Sequence, residues 1–413
     1  MLNIENKNEL SHFVLNFNDI SDNITFDEDS IMTNNYQLNK IKITCVILTY
    51  NEERCIRRCI DSVVDVVDEI VIVDSGSTDK TIDIINEIDS DKIKILKYSW
   101  NNDFSNARNY AIRNSLGDWI VFVDADEELY KNDKFLFRNI ILMCNQIVEK
   151  ENVVCSFQII EKDMNYVYDD IPRIIYRKGS CRYYGRVHEE IRCNNMTPLL
   201  LKLNMALIHD GYNRLILHKK NKLERNIKLL KMMILEEKDN LRWVYFYVRD
   251  GMKILNKKEL IDFIEKNVIE NIEMNHVAEI PYANDILSLY YDLLLKERKI
   301  NQLINITNEL ISVGMNNYDT FFYNIIAKTL KNKQQFFLLL NELIQYRSKN
   351  FDYQKSQISQ DGYHIDLLIG LLLFENMDYQ KSKKYFEYTR FKLKDVIDDS
   401  IFKKYLQILN SLV

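Results

Sequence analysis

Three runs of consecutive apolar and β-branched residues decide what this chain can fold into: Ile43–Thr49 (ITCVILT), Glu69–Val73 (EIVIV) and Trp119–Val123 (WIVFV). Strands this uniformly apolar cannot face water on either side, so they belong inside a sheet covered on both faces. Between them the pattern is helical, over Glu52–Val67, Asp79–Ile88 and Ser105–Ser115, with a further strand at Lys92–Tyr98. Such alternation predicts an α/β fold with a doubly wound, mostly parallel sheet. Ligands of these sheets bind beyond the carboxyl ends of the strands. Polar residues collect at those ends here: Tyr50-Asn51-Glu52, Asp74-Ser75-Gly76-Ser77 and Asp124-Ala125-Asp126.

Chain breakers divide the sequence unevenly. All three prolines precede residue 282, and five of the nine glycines lie between Gly76 and Gly211. The last third therefore reads as helix. Helical segments begin near Trp243, Tyr282, Tyr318 and Tyr363. Each runs into a polar turn (Asn256-Lys257-Lys258, Glu297-Arg298-Lys299, Lys331-Asn332-Lys333, Asn376-Met377-Asp378) and then a second helix. The period of roughly 35–45 residues falls near that of helical solenoid repeats, which bury a core only by stacking and leave a groove for partners. Residues 1–40 are polar, with a short amphipathic piece at Leu10–Phe17 expected to pack on something larger. The expected organisation is an extension over 1–40, an α/β domain over 41–213 and an all-helical, repeat-like domain over 214–413.

Composition removes several functions. The formal net charge is −6 and there is no long basic run, which argues against nucleic acid as a partner. The opening MLNIENKNEL lacks the basic and apolar regions of a secretory signal. Leu367–Phe374, the longest apolar stretch, is too short to span a bilayer. The expectation is a cytoplasmic protein with no membrane span and seven reduced cysteines.

Three constellations carry chemistry. Asp124-Ala125-Asp126 ends a buried strand, where two carboxylates and diphosphate oxygens can share a divalent ion. Asp74 ends another strand and can accept hydrogen bonds from a base or ribose; Gly76 permits the tight turn, and Ser77, Thr78 or Asp79 caps the next helix. Asp103-Phe104-Ser105-Asn106-Ala107-Arg108-Asn109 opens a helix on the same side, with Asp103 or Ser105 as cap. Arg108 then sits near the ligand edge, where a guanidinium suits a diphosphate or base carbonyl.

In this order and spacing, TYNEE, VDSGSTD, NDFSNARN and VDADEEL resemble glycosyltransferase family 2 with a GT-A fold, densely over residues 41–130. Gly185-Arg186-Val187-His188-Glu189-Glu190 and His209-Asp210-Gly211-Tyr212 resemble the acceptor-side motifs of members fused to tetratricopeptide-like helices. The layout is similar to peptide S-glycosyltransferases of the sublancin and thurandacin type. The resemblance implies a UDP-sugar donor, here UDP-glucose, and a divalent metal, Mg²⁺ or Mn²⁺. It implies a cysteine thiol of a bacteriocin precursor peptide as acceptor, and a homodimer. Residue by residue, it places Thr49, Tyr50, Asn51, Glu52, Asp74, Ser75, Ser77, Arg108, Asp124 and Ala125 on the donor. It places Asp126, His209 and Asp124 at the metal, with Asp126 favoured as the direct ligand. Glu189, Glu190 or His188 faces the acceptor as base. The implied reaction is direct displacement at the anomeric carbon with inversion. Two rivals stand beside it: transfer to a saccharide or other cell-surface hydroxyl, and an inactive repeat-type binding scaffold.

Overall fold

The computed structural model describes residues 12–20, 23–25, 41–161, 166–194, 197–209, 216–271, 279–314, 317–349, 358–359, 361–393 and 398–412. Their packing separates the chain into two compact units, Met1–Asp250 and Gly251–Val413.

In the first unit, β1 (Ile43–Thr49), β2 (Glu69–Asp74), β3 (Ile93–Lys97) and β4 (Trp119–Phe122) are parallel, in the order β3-β2-β1-β4. Helices α1 (Ile56–Val63), α2 (Thr81–Asn86) and α3 (Phe104–Asn114) supply the crossovers. The apolar runs are buried on both faces, as their composition requires. Ile43, Ile47, Ile70 and Ile72 pack with α1 and with α4 (Lys134–Asn145) on one side. Val46, Val71, Ile120 and Phe122 pack with Ala111 and Ile112 of α3 on the other.

Beyond β4 the sheet becomes mixed. β8 (Pro172–Tyr176) joins β4 antiparallel, followed by β6 (Val153–Glu161), β11 (Leu199–His209) and β5 (Glu127–Leu129), with β7 (Tyr166–Tyr168) on β6. β11 runs parallel to β6 and antiparallel to β5, so His209 is the register partner of both Glu161 and Glu127. β11 is irregular between Lys202 and Ala206. The amphipathic N-terminal piece packs there: Leu15 N–H donates to Lys202 O and Asn204 N–H to Phe13 O, each at 2.7 Å. Asn16 also accepts from Lys202 N–H at 3.0 Å, so backbone groups outside the ladder are satisfied.

A separate ribbon, β9 (Cys181–Tyr184) and β10 (Glu190–Cys193), pairs Cys181 with Cys193 in register, and the two form a disulfide. This corrects the expectation of seven reduced thiols. Cross-strand neighbours already hold their β-carbons at bridging distance. The other five cysteines are free and buried. Helices α5 (Ile216–Glu236) and α6 (Leu241–Gly251) belong by their contacts to the first unit, apart from the last residue of α6.

In the second unit the described elements are helices: α7 (Lys257–Ile264), α8 (Ala283–Lys296), α9 (Ile300–Ser312), α10 (Tyr318–Ser348), α11 (Tyr363–Glu375), α12 (Tyr379–Leu393) and α13 (Asp399–Leu412). Arg298 and Met377, at φ 56° and 64°, make the turns between α8 and α9 and between α11 and α12. The turn expected at Lys331-Asn332-Lys333 is absent; those residues lie inside the single 31-residue α10. Lys and Asn are tolerated in helix interiors, and no glycine or proline interrupts the segment. Among the described residues no helix is long and apolar enough to cross a membrane.

Candidate active site

The loops after β1 and β2 are locked together at the strand ends. Asn51, held at φ 56°, accepts from Thr78 N–H at 2.7 Å. Its own N–H donates to Ser77 Oγ at 2.9 Å, and Glu52 N–H donates to Thr81 Oγ1 at 2.8 Å. Asp74 is buried and shapes its own turn, accepting from the N–H groups of Gly76 and Ser77 at 3.1 Å. Gly76 sits at φ 96°, where a side chain would be strained. A carboxylate has about four acceptor positions, so Asp74 retains capacity for a ligand. Ser75 N–H donates to Thr49 O at 3.0 Å. Thr49 Oγ1 is buried without a partner among the described residues, and Tyr50 is 58% exposed beside it. These strand ends therefore present one orphaned hydroxyl, one partly used carboxylate and one open aromatic face.

Asp103 caps α3, accepting from Asn106 N–H at 2.9 Å and from Ser105 Oγ at 2.7 Å. One turn further on, Arg108 donates from Nε to Glu189 Oε1 at 2.8 Å and from Nη2 to Asp124 Oδ1 at 3.2 Å. Its guanidinium lies 5.3 Å from the Phe122 ring centroid and 5.2 Å from that of Tyr183. The other oxygen of Asp124 accepts from Arg173 Nη2 at 2.8 Å, and Arg173 also reaches Glu127 Oε1 at 2.9 Å. Burial alone would raise the Asp124 pKa; Arg173 and Arg108 outweigh it and hold the carboxylate far below its ordinary value. Glu127 is pushed the other way, by burial and by its acidic neighbours Asp124 and Asp126. Ala125 is buried between the two aspartates.

Asp126 also meets a third cation, His209. His209 Nε2 lies 3.2 Å from Asp126 Oδ2, and His209 Nδ1 lies 2.9 Å from Glu161 Oε2. The hydrogen bond to Asp126, helped by Glu161, pushes the imidazole pKa up to about 9 against its burial. This chemistry fits a divalent cation. An imidazole oriented through Nδ1 by a carboxylate, with Nε2 beside a second carboxylate, is a recurring metal-binding arrangement. Among the described residues no three ligating side chains form a cage, so water and donor oxygens would complete the shell. Asp124 has both oxygens on guanidinium groups, which leaves Asp126 and His209 as the better placed ligands. Asp210, Gly211 and Tyr212 of the expected motif lie outside the described residues.

The three candidate bases separate in space. Glu189 joins Arg108 and is nearly buried; its Oε2 has no hydrogen-bond partner among the described residues. Glu190, first on β10, points elsewhere and accepts from Arg192 Nε at 2.8 Å. Arg192 in turn pairs with Glu237 at 2.7 Å. His188, at φ 51°, stacks on Phe246 and bonds through Nε2 to Asp250 Oδ2 at 2.8 Å. The loop is shaped by Gly185, at φ 100°, where a β-carbon would fall 2.4 Å from the Trp243 ring.

Sequence reading missed Arg173, Glu127 and Glu161. The signals were present: an arginine inside the apolar run Pro172–Tyr176, and an acid ending the strand Val153–Glu161.

The profile of the family described as glycosyl transferase family 2 matches residues 44–197. The SPbeta prophage-derived glycosyltransferase SunS of Bacillus subtilis strain 168 is 33% identical over 267 residues, which is 64% of this chain and 61% of SunS. A TPR repeat-containing protein of Synechococcus elongatus is 42% identical over 88 residues, 21% of each chain. Among solved structures, S. aureus TarS residues 1–349 in complex with UDP-GlcNAc has 15% identity and a TM-score of 0.37, covering 63% of this chain and 92% of that one; a likeness of that extent carries no weight. The profile match takes in β1, β2 and β4, and over residues 44–197 the chain is similar to glycosyl transferase family 2.

Proposed function

We propose that the chain is an inverting glycosyltransferase that moves a hexose from a UDP-sugar, UDP-glucose in the first instance, to a cysteine thiol of a bacteriocin precursor peptide. The observation that carries the transferase reading is the pair of networks at the strand ends. One places Glu189 beside Arg108 and Asp124, and the other joins Asp126 to His209 and Glu161. The peptide thiol is supported by the sequence layout and by the 33% identity to SunS. Thr49, Tyr50, Asn51, Glu52, Asp74, Ser75 and Ser77 line the nucleotide side. Arg108, Asp124 and Ala125 shape the floor, and Asp126 and His209 would hold Mg²⁺ or Mn²⁺, which would supply charge neutralisation to the diphosphate. Glu189 Oε2 takes the acceptor proton. The sulfur–carbon bond forms as the bond from the anomeric carbon to the phosphate oxygen breaks, and its electron pair leaves with UDP. His188 and Glu190 act as positioning residues that fix the loop around Glu189.

Mass spectrometry of a cysteine-containing candidate peptide incubated with the chain, MgCl2 or MnCl2 and a panel of UDP-sugars tests the reading. One hexose added to the cysteine is expected. Transfer to an oligosaccharide but to no peptide would replace the acceptor. We further propose a homodimer, to be seen by light scattering as twice 49.4 kDa.

A further inference from the structure

Each cation described above at the strand ends already has carboxylate partners. Arg108 is held by Glu189 and Asp124, Arg173 by Asp124 and Glu127, and His209 by Asp126 and Glu161. A nucleotide diphosphate brings more negative charge to a cluster in which carboxylates already outnumber cations. Besides a divalent ion, such a ligand calls for a fixed positive group whose charge is not already neutralised.

Arg225, on α5, has these properties. It is half-buried, and the only hydrogen-bond acceptor it meets among the described residues is the side-chain oxygen of Asn226, 3.3 Å from Nε and 3.0 Å from Nη2. No carboxylate pairs with it among the described residues. Its guanidinium lies 5.0 Å from the centroid of the Phe104 ring. Phe104 is the first residue of α3 and stands four residues before Arg108, on the same helix face. Arg225 is thereby held against the face of α3 that carries Arg108. Its platform is rigid: Phe104 N–H donates to Arg186 O at 3.0 Å, and its ring packs edge-on against Trp100 at 4.7 Å. Burial lowers the pKa of Arg225, and Glu189 is the charge that opposes the effect.

We propose that Arg225 is a donor-binding residue whose guanidinium takes the diphosphate of the nucleotide-sugar. The inference rests on the donor reading above. As the bond from the anomeric carbon to the phosphate oxygen breaks, negative charge grows on that oxygen, and a planar donor fork suits it in a way an ammonium does not.

Calorimetric titration of the full chain in MgCl2 with UDP, and separately with uridine, tests the assignment. For R225Q a loss of about tenfold or more in UDP affinity is expected, with uridine within twofold of wild type. Should R225Q fail to fold, R225K decides by the same pair of titrations, losing threefold or more on UDP alone. Unchanged UDP affinity, or equal losses on UDP and uridine, overturns the assignment while leaving the donor reading intact. A wild-type chain that binds none of UDP, GDP and dTDP overturns the donor reading, and this inference with it.

Discussion

Glu189→Gln separates the roles open to that residue. The substitution keeps an acceptor for Arg108 Nε, now 2.8 Å from Oε1, but removes one charge and the base. Arg108 retains Asp124 at 3.2 Å, so the network weakens without collapsing. Replacing this ion pair by a bond from the same guanidinium to a neutral amide oxygen costs about 1 kcal/mol, roughly fivefold in rate if fully expressed there. The lost base adds a term set by the acceptor. A cysteine of pKa about 8.5 is roughly one-tenth thiolate at pH 7.5, so an enzyme without its base loses at most about tenfold more. That part returns by pH 9, where the thiol is mostly ionised. A serine acceptor forfeits general base assistance, about 10²–10⁴-fold, and recovers nothing over this range. The assay follows matched Cys and Ser peptides by intact mass from pH 6.5 to 9 at saturating UDP-glucose. Glu87→Gln, which breaks only the exposed pair with Arg57, is the control and should stay within about threefold on the cysteine peptide. A thousandfold loss on the cysteine peptide at pH 7.5, unrecovered at pH 9, would refute proton removal as the task of Glu189.

Asp126→Ala should cut turnover by about a hundredfold or more, and Glu161→Gln should raise the Mg²⁺ needed for half activation by about 10–100-fold; full activity in excess chelator would remove the metal from the scheme. Arg173→Met leaves Glu127 buried without its cation and should destabilise the first unit by about 3–5 kcal/mol in urea. All three tryptophans (Trp100, Trp119, Trp243) lie in that unit, so fluorescence reports it alone, and a loss under about 1 kcal/mol would contradict the pairing. Glu237 is pushed down to about 2 by its hydrogen bond with Arg192, against burial, and with help from Trp243 and Asn240. Its folded pKa is below its unfolded one, so its contribution is present above about pH 4.5 and lost as pH falls through about 2. Acid titration of Trp243 fluorescence should show this loss, and Glu237→Gln should flatten it.

Much of the candidate site was legible because polar residues at the ends of parallel strands mark the ligand edge of such a sheet. The polar residues following ITCVILT, EIVIV and WIVFV stand at those ends. Less legible was what joins the later strands. Arg173 lies 49 residues beyond Asp124 and reads locally as part of an apolar strand. Only the rule that a buried charge must be paired marks it, and no local pattern names its partners. Glu161 meets His209 through the parallel register of β6 and β11, a pairing set by topology. Arg225 sits in a helix whose periodicity announces packing alone. The missed α10 has the opposite origin: a polar triplet was read as a turn where nothing forbids helix.

The clasp of Trp243 over Gly185 bears on how such a chain can be recombined. A graft cut where the last motif ends, near residue 213, keeps every signature residue and discards the helix that shapes the loop bearing Glu189. It also discards Asp250, which holds His188, and Glu237, which holds Arg192. The heritable cassette is therefore longer than its motifs. Chimeras that change acceptor range should carry the chain through Asp250 intact, and libraries spliced upstream of Leu241 should be populated by proteins that retain the signature residues without the catalysis.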